Sequence, residues 1–182
     1  MGSNFSSGAS RSNHRSNGFE WQGVIRFYDY TGESDLEVLQ SLINSHMIVS
    51  AEIYKKPLSE SQWIHFVFYH AFVVFETRNR GSSPVYWSLE KNGDALILQK
   101  SLDKKSVVNK IEGSQRLTTW YWEPKLMVND LSDCAFEALY KFIIVDTDQL
   151  NMKYNFSDEN CKKFAKIVFD KIARSKTWRY TV

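Results

Sequence analysis

From residue 64 to 75 the chain reads Ile-His-Phe-Val-Phe-Tyr-His-Ala-Phe-Val-Val-Phe, an apolar stretch rich in branched and aromatic side chains. Such side chains lose rotamer freedom on a helix and pack well on a pleated surface, so the stretch argues for a strand. The segment Thr-Arg-Asn-Arg-Gly-Ser-Ser-Pro at 77–84 breaks it with turn-forming residues, and Val-Tyr-Trp-Ser-Leu-Glu at 85–90 returns as a second strand. Asn92-Gly93 is a hairpin signal, and 95–99 follows as a third strand. A three-stranded antiparallel meander over roughly 64–100 is the frame on which the rest must be built.

Around that frame, 21–28 has strand composition and 47–54 alternates as a strand. Leu36, Leu39, Leu42 and Ile43 fall at helical spacing, with Ser34 and Glu37 placed as a capping box. A short helix is expected over 103–111, and Trp120-Tyr121-Trp122 reads as a strand ended by Pro124. Residues 131–143 read as a helix, with Leu131, Cys134, Ala135, Ala138, Leu139 and Phe142 on one face. The last helix starts near 157–160 and carries Phe164, Ile167, Val168 and Ile172. No internal repeat interrupts this order. The expected fold is α+β: an antiparallel sheet with flanking helices, forming one domain over 19–182. Residues 1–18 are Ser, Asn, Gly and Arg with a single Phe, too little apolar surface to offset the entropy of ordering, and are expected as a disordered tail.

The charge balance argues against broad nucleic-acid binding: the formal net charge of the 182 residues is only +2. A stacking platform at Trp120-Tyr121-Trp122 would need a basic groove that this balance does not announce. No signal peptide or bilayer-length apolar run is visible, so a cytoplasmic, reducing location is expected, with Cys134 and Cys161 as free thiols. His14, His46, His65 and His70 lack ligand spacing with either cysteine, so neither a metal nor another cofactor is expected. The start, Met1-Gly2-Ser3-Asn4-Phe5-Ser6, fits the myristoylation pattern with Gly2 as the acylated residue, and Arg11 and Arg15 add weak basic support for membrane association. An ordinary Ser-rich tail is the simpler reading of the same residues.

Chemistry is suggested by two residues that break their local patterns. Cys161 follows the cap formers Ser157, Asp158 and Asn160 and opens an amphipathic helix. Stepping back from Phe164 and Ala165 places it on the inward face. A helix start favours thiolate over thiol, although a buried structural cysteine looks the same from sequence. His70 interrupts the apolar strand on the face of Phe68, Phe72 and Val74; a hydrogen-bonded core histidine is the plain alternative. His65 lies in the same run with opposite parity, so it faces the other side. A base needs an orienting group, and a hairpin closed at 77–84 brings residues near 88–91 beside His70. Glu90 is the stronger candidate and Ser88 the weaker, with the register left open. The remaining aromatics Trp63, Trp87, Trp120 and Trp122 belong to a core or to a binding face.

His70-Ala71-Phe72-Val73-Val74-Phe75-Glu76 resembles the His box of lecithin retinol acyltransferase-like proteins, and Asn160-Cys161-Lys162-Lys163-Phe164-Ala165 is similar to their Asn-Cys box. The order, His before Cys, is that of circularly permuted papain-like proteins. The resemblance covers about 64–175 and implies a permuted papain-like fold with Cys161 as nucleophile and His70 as base. It implies a thiol-dependent hydrolase or acyltransferase working through an acyl-enzyme on a lipid ester or amide. The partner is then a small-molecule or lipid acyl substrate; for an inactive interaction domain on the same fold it is a protein. The family's second His is replaced by Ser88, with Glu90 two residues further, and the helix-like stretch at 131–143 is an addition.

Overall fold

The computed structural model describes residues 3–5, 15–16, 19–20, 22–32, 36–57, 69–116, 123–155 and 160–175. In chain order the elements are β1 (Ser3–Phe5), β2 (Arg15–Ser16), β3 (Phe19–Glu20), β4 (Ile25–Asp29), α1 (Leu36–Ser45), β5 (Met47–Pro57), β6 (Tyr69–Arg78), β7 (Val85–Lys91) and β8 (Leu96–Ser101). Then come α2 (Lys104–Asn109), β9 (Lys110–Ile111), β10 (Ser114–Gln115), β11 (Lys125–Ala135), α3 (Phe136–Lys141) with a π-helical turn at Phe142–Asp146, and α4 (Cys161–Ile172). The expected meander is present as β6, β7 and β8, paired antiparallel through Val73 with Leu89 and Leu89 with Leu98.

The sheet is wider than the meander and is mixed, in the order β1-β4-β8-β7-β6-β5-β11. β5 and β11 extend it antiparallel beyond β6, whereas β4 lies parallel to β8. The expectation of a purely antiparallel sheet is therefore corrected at that one pair. The chain leaves β4 through α1 and enters the sheet again at β5, three strands from β8, so β4 and β8 are not hairpin neighbours and no tight turn imposes opposite directions. Within the segment expected as a tail, Ser3–Phe5 pairs antiparallel with β4. An open strand edge offers unpaired backbone groups that a polar segment satisfies without apolar side chains.

Alternation along the strands builds two apolar layers. Ala71, Val73, Phe75, Trp87 and Leu89 join Leu39, Ile43, Phe136, Leu139, Phe164, Val168 and Phe169 in the main core, with α4 lying across β5, β6 and β7. Trp87 is fully buried there, stacked on Phe75 and edge-on to Phe136, so this tryptophan is core. Phe72 and Val74 point the other way, onto Val107 and Val108 of α2 and the partly buried Tyr30, Tyr54 and Tyr86. Trp63, Trp120, Trp122, Ser34, His65 and Gly2 lie outside the described residues. Among the described residues no helix is long and apolar enough to cross a membrane.

The helix expected at 131–143 is half strand. Asn129, Asp130, Leu131 and Cys134 pair with Glu52, Ala51, Ser50 and Ile48 of β5, and Leu131 is 61% exposed. Edge pairing satisfies the outer backbone groups of β5, and a bulge between Leu131 and Cys134 shifts the side-chain phase, which produces an apparent helical spacing in the sequence. The helix begins only at Phe136.

The β9–β10 hairpin turns through Glu112 and Gly113, both at positive φ, and leads straight to Arg116. Gly113 sits at φ 83°, and a Cβ there would overlap the Tyr28 hydroxyl. Gly113→Ala is expected to destabilise by about 2 kcal/mol, from the left-handed backbone and the clash together. For a chain of this size that lowers the thermal midpoint by roughly 4–8 °C, read by a circular dichroism melt.

Candidate active site

The meander fixes the register that sequence left open. Val74 opposes Ser88 and Val73 opposes Leu89, so Glu90 falls on the Phe72 face beside the start of β6. There His70 Nε2 meets Glu90 Oε2 at 2.7 Å. A carboxylate only accepts, so Nε2–H donates, and Nδ1 is left for the sulfur. The imidazole also lies nearly parallel to Phe72, two residues along the same strand face, with centroids 6.3 Å apart. Ser88 is not part of this contact: its hydroxyl accepts from Gln99 Nε2 at 2.7 Å. Of the two expected candidates, Glu90 is the one hydrogen-bonded to His70, and Ser88 is bonded to Gln99 instead.

A carboxylate this deep needs a counter-charge. Glu90 is fully buried, and Arg116 supplies the charge with a bidentate grip: Nη1 to Oε2 at 2.9 Å and Nη2 to Oε1 at 2.5 Å. The guanidinium lies over the Phe72 ring, 3.9 Å from its centroid, and is only 3% exposed. Sequence reasoning missed Arg116, which follows a small hairpin with no periodic pattern. The available signal was Glu90 itself, an acid in a strand otherwise headed for the core.

Cys161 arrives from the other side of the sheet, at the first residue of α4. Asn160 caps that helix, its side chain accepting from Lys162 and Lys163 N–H at 3.0 and 3.1 Å. Cys161 is 2% exposed. The His70 imidazole and the Ala71 backbone N–H both act on it from β6 and favour its charged form. Tyr154 Oη donates toward it at 3.8 Å, and the Tyr69 carbonyl lies at 3.9 Å. The Cys161 N–H is in turn engaged with the Tyr154 hydroxyl. Tyr154 was not evident in sequence because it sits in an irregular segment. The turn before it is anchored by the buried Lys91, which donates to the Met152 carbonyl at 2.6 Å and to Gln149 Oε1 at 3.3 Å.

The electrostatics follow from this packing. Burial works against the imidazolium, but the hydrogen bonds to Cys161 and Glu90, and the negative charges of both, push His70 up to about 9. Burial likewise opposes the Cys161 thiolate, and the His70 hydrogen bond and charge outweigh it, holding the thiol below its ordinary range. Burial opposes the Glu90 carboxylate too, and Arg116 followed by His70 holds it down at about 2. Burial and the sulfur's charge raise the Tyr154 phenol, which keeps its proton at neutral pH. The arrangement favours a thiolate–imidazolium pair backed by an ionised, clamped carboxylate. Among the described residues no three His, Cys, Asp or Glu side chains gather as a metal site. Comparison with family models, characterised proteins and solved structures gave no match.

Proposed function

We propose that the chain is a thiol-dependent hydrolase or acyltransferase of the permuted papain-like kind, acting through an acyl-enzyme on Cys161. The observation that supports this is the grouping of Cys161, His70 and Glu90 from α4, β6 and β7, with the imidazole hydrogen-bonded to Glu90 and favouring the charged form of the sulfur. The Cys161 thiolate attacks the carbonyl carbon of an ester or amide, and the carbonyl electron pair moves to oxygen. The tetrahedral intermediate collapses to a thioester as the leaving alcohol or amine departs with the proton of the His70 imidazolium. Neutral His70 then takes a proton from water, or from an acceptor alcohol or amine, whose attack on the thioester returns Cys161 to thiolate.

The donors for the oxyanion differ from a bare helix start. The Lys162 and Lys163 N–H groups are taken up by Asn160 and the Cys161 N–H by Tyr154, so the Tyr154 hydroxyl, whose proton points toward the sulfur, is the donor nearest a developing oxyanion. A lipid acyl substrate would fit acylation at Gly2, the second reading of the N-terminal pattern, which would hold the chain near a membrane. The second reading, an inactive interaction domain, is favoured by the 2% exposure of Cys161.

Acyl capture separates the two. The chain is incubated with 4-nitrophenyl esters of short and long acids, quenched in acid and weighed intact. The expected result is one acyl group on Cys161, retained in Cys134→Ser, absent in Cys161→Ala, and accompanied by a burst of 4-nitrophenol. A folded chain that takes up no acyl group selects the interaction domain.

A further inference from the structure

The charges around His70 do not balance. β5 pairs Lys56 directly across from His70, on the same face of the sheet. Among the described residues the charges acting on Lys56 are those of Arg116 and Glu90. Both Glu90 oxygens are already engaged: Oε2 takes His70 and Arg116, and Oε1 takes Arg116. Arg116 spends both terminal nitrogens on Glu90, yet its Nε is buried with no hydrogen-bond partner among the described residues. Among the described residues, Lys56, Arg116 and the imidazolium thus face Glu90 and the Cys161 thiolate, an excess of one positive charge in a partly desolvated cluster. Burial, and after it the charge of Arg116, presses Lys56 down to about 8, which still leaves it mostly ammonium at pH 7. A like-charged pair with an orphaned donor lacks an anion.

We propose that Lys56, with Arg116 Nε behind it, forms a subsite for an oxyanion, so that the acyl substrate carries a carboxylate or phosphate beside its reacting carbonyl. The subsite rests on Cys161 being the reactive thiolate. It contributes binding and orientation and takes no part in the bond changes. Lys56 is half-buried on an outer part of β5, so its replacement leaves the relay intact.

Alkylation with matched charged and neutral reagents tests both layers. Rates of Cys161 labelling by iodoacetate and iodoacetamide are measured at pH 7 in a Cys134→Ser background, each divided by the rate for glutathione. The wild-type site is expected to favour iodoacetate. Lys56→Met is expected to lower that preference about tenfold, the scale of one partly desolvated ion pair, and Lys56→Glu to reverse it, while iodoacetamide rates hold within about twofold. Inorganic phosphate slows iodoacetate in the wild type and not in Lys56→Met. Equal normalised rates, or a preference indifferent to Lys56, overturn the subsite and leave the thiolate standing. A folded chain whose iodoacetamide rate follows the same pH slope as glutathione overturns the thiolate reading and the subsite with it.

Discussion

Iodoacetamide is expected to keep alkylating Cys161 at pH values where an ordinary thiol has lost most of its reactivity, and His70→Ala to restore the ordinary slope of about tenfold per pH unit. An ordinary thiol loses about a factor of ten in thiolate for each unit below its pKa, because the proton competes directly for sulfur. In the wild type the proton resides on His70, and the thiol is held low by that neighbour. The profile, not the absolute rate, carries the information. Cys161 is 2% exposed, so restricted access lowers the rate at every pH without bending the curve. A wild-type profile that falls tenfold per unit and coincides with His70→Ala would remove the ion pair from the mechanism.

The alkaline side is set by the other partner. His70 sits at about 9, so acyl transfer that needs an imidazolium to protonate the leaving group declines as pH rises through that value. Glu90→Gln keeps a hydrogen-bond acceptor for Nε2 and removes the charge, so this alkaline limb is expected to move toward lower pH. A limb that stays in place would mean that Glu90 orients the ring without stabilising its charge.

His70 and Cys161 were legible in sequence because each violates a strong local pattern. His70 places a polar ring in an apolar strand, and Cys161 follows an Asn cap at a helix start. Glu90 was legible as one of two candidates, since parity joins it to Ser88, and only the pairing of Val74 with Ser88 separates them. Arg116 and Tyr154 were not legible, because their positions come from a hairpin turn and an irregular segment whose placement depends on tertiary contacts. Lys56 belongs to the same class: its strand was readable, but its place across from His70 depends on the β5–β6 register. The strand at β11 was hidden for another reason. Its bulge shifts the alternation of Leu131 and Cys134, and the apolar residues of α3 continue the resulting pattern.

Arg116 and Glu90 are expected to show the largest stability effects in the molecule, and they should cancel in combination. Glu90→Ala leaves a 3% exposed guanidinium without its counter-charge, and Arg116→Met leaves a fully buried carboxylate with only His70. Each single change is expected to cost about 3–5 kcal/mol in urea unfolding, whereas Glu90→Leu with Arg116→Met should cost less than either, since both desolvation penalties vanish together. The pH dependence gives an independent check of sign. Glu90 is lowered from 4.5 to about 2, so its contribution is complete above 4.5 and is lost as pH falls through about 2. The stability gap between wild type and Glu90→Gln should therefore be constant from pH 5 to 6 and close between about 4.5 and 2. His70 is raised from 6.5 to about 9, so its contribution is complete below 6.5 and is lost as pH rises through about 9. The gap between wild type and His70→Ala should accordingly narrow on the alkaline side. Single and double variants whose costs simply add would show that Arg116 and Glu90 are stabilised by separate surroundings, and the clamp behind His70 would then have no energetic basis.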